Sequence, residues 1–492
     1  MAVGMVVPFF LTPYVVKHLG STGYGVWILA VSTVSYLNLL DMGMRSAVIR
    51  FVSKAEAEGK VEDVQSAVGA ALWFRLLLAV VVAIMSVVLA VLFPHLFKVP
   101  AEMMRAGQIT VLLCALGVAI TLITGVFGAV LSAIHRFDVL SWVTMTQTLA
   151  RAGGVLLILR SGRGLVSLAI WELIIISAAG ALTVVVACKL FPPARVRVKK
   201  PQMDVLRKIW SYSFTTFLWI VAVQIIVNTD NMVIGAFLSA SVVAFYSIGG
   251  SLASYAGQVV GALSTTFTPL ASNLDAGGRI DQLQKLLIRG TQATLALALP
   301  ISLTLLIRGK TFIGIWMGAK YSEISGTVLQ ILMISQFFGV ADSTAGAVMM
   351  AMDKHKPAAR WAMIEAAINL GLSIVLVKTI GLYGVAWGTA ISMSLVHLLF
   401  WPRYIQKVLG ISARRFMWEG WTKISLCAIP FAAASYWIDR HTHPHNLITY
   451  FGSVIGTLPI FAVAVLVVFR EEAMHQFLSW RQSRVRHEQV AL

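Results

Sequence analysis

Apolar residues run through this chain in long blocks, separated by short polar segments that carry most of the charges. A block of about 20 apolar residues is long enough to cross a hydrocarbon core as a helix. Such blocks fall at 1–16, 22–40, 68–93, 108–133, 139–159, 165–188, 210–231, 242–268, 290–307, 324–351, 361–377, 383–400, 419–438 and 447–469, about fourteen spans in all. Backbone groups in lipid must pair within their own segment, and the blocks exceed the ~10-residue strands of a barrel, so they are helices. Trp142, Trp210, Trp316, Trp361, Trp401, Trp418 and Trp437 stand near span ends, where an aromatic belt places them. The fold class that follows is an all-α polytopic membrane protein.

Composition strengthens that reading without carrying it. Hydrophobic residues make up 58% of the 492, charged residues only 12%, and the mean hydropathy is +0.82. A soluble domain carries about 25% charged residues, so this chain cannot cover itself with a polar surface. The net charge of +18 raises nucleic acid as a partner. However, the basic residues sit in short clusters between apolar blocks, as anchors to anionic membrane lipids do, and no polar domain presents a basic face. Cys114, Cys188 and Cys427 fall in or beside apolar blocks, which argues against a disulfide framework. Met1–Val16 lacks the basic n-region of a signal peptide and reads as a shortened first span, leaving the true start open.

Lys and Arg set the orientation. With the 45–67 loop in the cytoplasm, the loops on that side carry the bulk of the 39 basic residues. The deciding loop holds Lys189, Arg195, Arg197, Lys199, Lys200, Arg207 and Lys208 around one acid, Asp204. Both termini are then cytoplasmic. The tail 470–492 mixes Phe477, Leu478 and Trp480 with Arg481, Arg484 and Arg486 and reads as an interfacial helix on the inner leaflet.

The basic loop also divides two similar halves. Ser53–Gln65 aligns without gaps on Ser272–Gln284, with Ser, Ala, Gly and Gln identical and five further positions keeping charge sign or aliphatic character. At the same offset of 219, Ser35-Tyr36 pairs with Ser254-Tyr255; at 218, Gly128-Ala129-Val130 pairs with Gly346-Ala347-Val348, and Arg160 with Lys378. Each half contains an even number of spans, so both enter the membrane the same way: a parallel repeat about the membrane normal, a design of transporters. The expected organisation is an N-terminal six-helix lobe (1–188), a basic cytoplasmic linker (189–209), a C-terminal six-helix lobe (210–400), an extra helix pair (401–469) and the tail. Two such lobes suit alternating access.

Several stretches carry a resemblance. Pro8 and Pro13 lead to Leu19-Gly20-Ser21-Thr22-Gly23-Tyr24-Gly25-Val26-Trp27, then Asp41-Met42-Gly43 and Arg50-Phe51-Val52-Ser53. In the second half come Asp230-Asn231-Met232-Val233-Ile234-Gly235, Val243-Ala244-Phe245-Tyr246, Asp353-Lys354-His355-Lys356 and Gly381-Leu382-Tyr383-Gly384-Val385-Ala386. In this order and spacing, over nearly the whole chain, they resemble the polysaccharide exporter (O-antigen flippase) family. Its superfamily also holds multidrug-extrusion and lipid II flippase proteins. The resemblance implies a multi-pass protein of the bacterial inner membrane that moves an undecaprenyl-diphosphate-linked oligosaccharide from the cytoplasmic to the periplasmic leaflet. Ion-coupled alternating access is the implied mechanism, with a proton or sodium ion as coupling ion. Membrane lipids, a polysaccharide polymerase and a chain-length regulator are the further candidate partners, and no cofactor is implied. The family is poorly marked by substrate, so the sugar does not carry over.

Charges inside spans then become the residues to examine. Arg75 and Arg151 lie within apolar blocks, where a central Arg costs ~3 kcal/mol on insertion scales and usually faces the bundle interior. The planar guanidinium suits phosphate. Arg75 and Arg151, with Arg45 and Arg50 at the inner mouth, are therefore candidate diphosphate-binding residues. Against this, Arg45 and Arg50 also suit anchors on the cytoplasmic side, and Asp41 and Arg45 are spaced to pair along one helix face. The acids in or near spans are Asp41, Glu172, Asp230, Asp342 and Glu365. A carboxylate in the membrane is a candidate proton or sodium carrier; Asp230, in the family-like stretch at the outer part of its span, is the leading one. Its alternative role is capping a helix or pairing with an intramembrane Arg.

Rival functions leave different marks. A drug or cation antiporter, or a lipid II flippase, would share the repeat and topology. A major-facilitator transporter would carry a Gly- and Arg-rich loop where this chain reads Ser53-Lys54-Ala55-Glu56-Ala57-Glu58-Gly59-Lys60. A membrane saccharide polymerase or ligase would carry a sizeable periplasmic loop, and the longest here is about 15 residues. His441, His443 and His445 alternate in a short loop without the Cys or acid cluster a metal site needs. No Walker A, zinc-protease or nucleophile-elbow motif is present.

Overall fold

The computed structural model describes residues 2–195, 203–442 and 444–470, with the side chains of 203–216 outside that description. Three expectations fall beyond it in part: the centre of the basic linker, His443 of the histidine run, and the tail after Arg470. Among the described residues every regular element is helical.

The first span and the second form one run, α1 (Ala2–Ser35), broken at Gly20, whose φ of 69° is left-handed. A 3-10 segment (Tyr36–Asp41) and the left-handed pair Met42 and Gly43 lead into α2 (Met44–Ala57). There follow α3 (Val61–Leu96), α4 (Ala101–Ala133), α5 (Phe137–Arg160), α6 (Leu165–Leu190), α7 (Met203–Phe237), α8 (Ala240–Thr265) and α9 (Phe267–Ala276). The later helices are α10 (Ile280–Met317), α11 (Ala319–Ala351), α12 (Lys356–Ile380), α13 (Leu382–Leu409), α14 (Ala413–Arg415), α15 (Lys423–Cys427), α16 (Ile429–His441) and α17 (Leu447–Val468). Among the described residues eleven helical runs are long and apolar enough to cross a membrane.

That number is smaller than about fourteen for three reasons, the first being that the block at 242–268 forms α8 (Ala240–Thr265), which is not among the eleven. The first run, Val3–Ala57, contains two of the expected spans. The block at 419–438 is not one helix: a π-helical stretch (Phe416–Thr422) runs into α15, and the chain breaks at Ala428 before Pro430 in the first turn of α16. Proline has no N–H to give and its ring collides with the preceding turn, which suits the start of a helix and not its middle.

The chain divides into two compact units: residues 1–248 with 356–392, and residues 249–355 with 393–492. In the first, α3 packs on α4, α4 on α6, and α7 on α12. A core of Val48, Val52, Val68, Val126, Val130 and Leu131 joins α2, α3 and α4. In the second, α10 packs along α11 and also meets α9, α16 and α17. The outward faces are apolar: Val80 and Ile84 on α3, and Ile455, Val463 and Leu466 on α17, are exposed. A soluble protein does not present such continuous apolar faces, whereas lipid covers them.

The aligned segments of the two halves take the same local shape. After α2 the chain turns through Gly59 (φ 67°), with N–H of Gly59 donating to the Glu56 carbonyl and N–H of Lys60 to the Ala55 carbonyl. After α9 it turns through Gly278 (φ 64°), with N–H of Gly278 donating to Asp275 and N–H of Arg279 to Leu274. The turns after α4 and α11 correspond likewise, with His135 (φ 57°) and Asp353 (φ 54°) both left-handed.

Candidate functional site

The acid Asp230 sits on α7, at 3% exposure, and receives three hydroxyl groups. Tyr246 of α8 donates its hydroxyl to Oδ2, Thr389 of α13 donates to Oδ2 at 2.6 Å, and Ser373 of α12 donates to Oδ1 at 3.3 Å. Asn369, one turn before Ser373 and fully buried, donates its amide N–H to Thr389 at 2.8 Å. The Asn369 carbonyl oxygen has no hydrogen-bond partner. Three other helices thus bring oxygen atoms to one buried carboxylate of α7, and among the described residues no basic side chain is a hydrogen-bond or ion-pair partner of it. The alternatives of a helix cap or an Arg partner for Asp230 do not match this geometry.

Packing explains why the group assembles. Gly384 and Gly388 stand four apart on α13, and a Cβ on Gly388 would lie 2.7 Å from Ser373 Oγ and 2.9 Å from the Ser373 backbone nitrogen. Paired glycines let two membrane helices approach backbone to backbone, which carries Thr389 within reach of Asn369 and Asp230. On its other side α7 is pinned to α1 and the 3-10 segment by side chains flanking the acid. Thr229 bonds to Tyr36, Asn231 donates to Ser32 at 3.2 Å, and Gln224 donates to Ser35.

The 3-10 segment ends on Asp41, which pairs with Arg75 of α3. Arg75 also donates from Nη1 to the Leu122 carbonyl at 3.0 Å, and its Nε has no hydrogen-bond partner. Arg45 lies near enough for its charge to bear on Arg75, and both Arg45 and Arg50 occupy exposed positions on α2. Asp41, Arg45 and Arg75 therefore form one charged group. Asp41 is bonded to Arg75, thirty-four residues on, where the sequence suggested Arg45.

Arg151 is placed elsewhere in the first unit. It grips Glu172 of α6 with both arms of its fork, Nε to Oε2 and Nη2 to Oε1, each at 2.7 Å. A cation assigned to the substrate and an acid assigned to the ion thus neutralise one another, and the bidentate face that would hold a phosphate is occupied. Glu365 is buried on α12. In the second unit, Asp342 of α11 is 1% exposed and its Oδ2 lies 3.0 Å from Nδ1 of His397.

Sequence reasoning missed Tyr246, Asn369, Ser373, Thr389 and His397. A faint signal existed: Glu365, Asn369 and Ser373 stand at successive helical turns in an apolar span, marking a polar stripe that lipid would not tolerate. It also missed a fully buried cation. Arg308 of α10 has its Nε 3.7 Å from Asp439 and its guanidinium 4.6 Å above the Tyr450 ring. That cluster ties α16 and α17 to α10.

Known proteins resemble this chain over most of its length. A Bacillus subtilis protein described as the uncharacterized membrane protein EpsK is 24% identical over 83% of this chain and 81% of its own. The probable low-salt glycan biosynthesis flippase Agl15 of Haloferax volcanii is 22% identical over 83% of this chain and 82% of its own. Among solved structures, the lipid II flippase MurJ in an inward closed conformation superposes with a TM-score of 0.78, covering 96% of this chain and 99% of that one at 16% identity, so the fold is shared. This is a multi-pass protein of the bacterial inner membrane. The family model for polysaccharide biosynthesis proteins matches residues 1–274, more than half of the sequence, and the chain belongs to that family.

Proposed function

We propose that this protein is a flippase that carries an undecaprenyl-diphosphate-linked oligosaccharide from the cytoplasmic to the periplasmic leaflet, for surface polysaccharide synthesis, driven by an ion gradient. Chemistry in this reading is transport and not catalysis. Fourteen spans in two parallel six-span repeats plus a helix pair, with both termini cytoplasmic, complete the proposal. The matching left-handed turns at Gly59 and Gly278, and at His135 and Asp353, support the repeat.

The observation that carries the ion-driven part is the oxygen cluster at Asp230. A carboxylate faced by three hydroxyl groups, with the buried Asn369 bonded to one of them and its amide oxygen left without a donor, offers the oxygen ligands that a hard cation such as sodium takes. A proton could occupy the same carboxylate. The ion is cargo here, and Asp230, Asn369 and Thr389 would hold it. Arg75, with Arg45 and Arg50 towards the cytoplasmic mouth, is the proposed anchor for the diphosphate; Arg151, already gripping Glu172, is a weaker one. Asp41 then competes with the head group for Arg75.

Deletion of the gene tests the substrate. Lipid-linked oligosaccharide is expected to accumulate in the cytoplasmic leaflet, and unaltered surface polysaccharide with no accumulation would overturn the proposal.

A further inference from the structure

We propose that Asp342 and His397 form a proton-binding pair in the second unit, chemically distinct from the oxygen cluster at Asp230. This rests on the reading of the protein as ion-driven only for its use, not for its existence.

Asp342 lies in the middle of an apolar helix, at 1% exposure, and one of its oxygens faces the ring nitrogen of His397 at 3.0 Å. Its other oxygen, Oδ1, has no hydrogen-bond partner. The neighbouring hydroxyls on α11 are turned to other helices. Ser343 bonds to Ser264 of α8 at 2.6 Å, and Thr344 to Thr294 of α10 at 2.9 Å. The carboxylate is thus left to the histidine.

Nitrogen separates the two acids. Around Asp230 the hydrogen-bonding neighbours Tyr246, Ser373 and Thr389 each bring a hydroxyl oxygen, the ligand type a hard cation takes. Around Asp342 the partner is an imidazole, which offers an alkali cation little but accepts a proton readily. Imidazole is also the side chain whose unperturbed titration crosses the range between about pH 5 and 8. Taking one proton from water converts a carboxylate and a neutral ring, net charge −1, into a pair of net charge zero. The proton rests on the carboxyl or on the ring, and the pair titrates as a unit.

His397 is the one ionisable group that bears on Asp342 among the described residues. Asp275 of α9, Asp281, Lys285, Arg289, Arg308 and Lys310 of α10, Lys320 and Glu323 of α11, and Arg403 and Lys407 of α13 are the other charged groups of these helices, and His397 is the hydrogen-bond partner of Asp342 among the described residues.

The test uses the full chain in lipid nanodiscs carrying Asp230→Asn and Glu365→Gln, which remove the other buried acids among the described residues, with protons as the only probe. Infrared difference spectra between pH 5 and pH 9 should show a carboxyl band that titrates and is absent when Asp342→Asn is added. His397→Gln should retain the band and move its midpoint by roughly one pH unit or more, because the two sites are coupled. Ring-labelled histidine spectra should show His397 titrating over the same range, which keeps the test open if Asp342→Asn does not fold. A band indifferent to both substitutions, or a His397 ring that holds one protonation state throughout, overturns the pair. Translocation of lipid-linked saccharide is measured separately, in the protein with Asp230 intact: its absence there, with the Asp342–His397 titration present, would sink the flippase reading and leave the proton site standing.

Discussion

Each compact unit buries an aspartate, and the two are furnished differently. Asp230 in the first unit draws Tyr246, Ser373 and Thr389 from three other helices, with Asn369 behind them. Asp342 in the second faces His397 and keeps one oxygen unbonded. A buried ionised carboxylate is costly unless hydrogen-bonded or paired, and these are two distinct remedies. One gathers oxygens, which also coordinate a cation; the other sets a base beside the acid, which also stores a proton. A buried acid in a membrane helix is therefore only half a functional statement, and the atoms across from it supply the rest.

Substitutions can break that contrast, beginning with the acid itself. Asp230→Asn should abolish ion-driven translocation while the protein is still made and inserted, and isothermal binding of sodium to the purified protein should vanish with it. Asp342→Asn should leave sodium binding intact; equal loss in both variants would erase the distinction. Next comes the support around Asp230. Tyr246→Phe removes a donor to the carboxylate, and a loss of about 10–100-fold in ion affinity is expected, as when partners that orient a ligand are removed.

The charged group at Arg75 should respond in stability as well as transport. Arg75 is 2% exposed, and Asp41→Ala would leave it buried with one carbonyl partner. Breaking a buried pair from one side costs about 3–5 kcal/mol, whereas replacing both partners with apolar residues of similar volume costs far less. The melting temperature in detergent should fall sharply for Asp41→Ala and recover in part for Asp41→Leu with Arg75→Met, although that double variant should not transport. Gly388→Ala should follow, at about 1–3 kcal/mol for overpacking α13 against Ser373, together with weakened ion affinity.

The smallest effect belongs to the turn after α2. Lys60 beside the exposed Glu58 holds its carboxyl below the ordinary range. A lowered folded-state pKa gives stability that is present above the unfolded value and lost as pH falls through the folded one. Because the pair is solvated, Lys60→Ala should leave the melting temperature unchanged within error at neutral pH. A measurable drop there would mean the turn is packed against something in the membrane-bound protein.

Much of the architecture is legible in sequence because lipid imposes one rule on every span. Length and hydropathy alone mark α3, α4 and α17 as membrane helices. The break at Ala428 is harder to see, since Pro430 inside an apolar block reads equally as a kink. Charges inside spans announce themselves by their cost, which is how Asp230, Asp342, Arg75 and Arg151 stand out. Their partners do not. Thr389 is 159 residues from Asp230 and His397 is 55 from Asp342, separations that no local pattern encodes. Arg151 and Glu172 were sorted to different tasks for the same reason, since their bidentate contact depends on how α5 packs on α6.

The account turns on Asp230 coupling an ion gradient to movement of a lipid-linked saccharide. Purified protein in proteoliposomes, loaded with a fluorescent undecaprenyl-diphosphate-linked oligosaccharide, tests it directly. An imposed sodium or proton gradient should drive the saccharide across in the wild-type protein and not in Asp230→Asn. Equal translocation by both proteins, or translocation indifferent to every gradient, would contradict it.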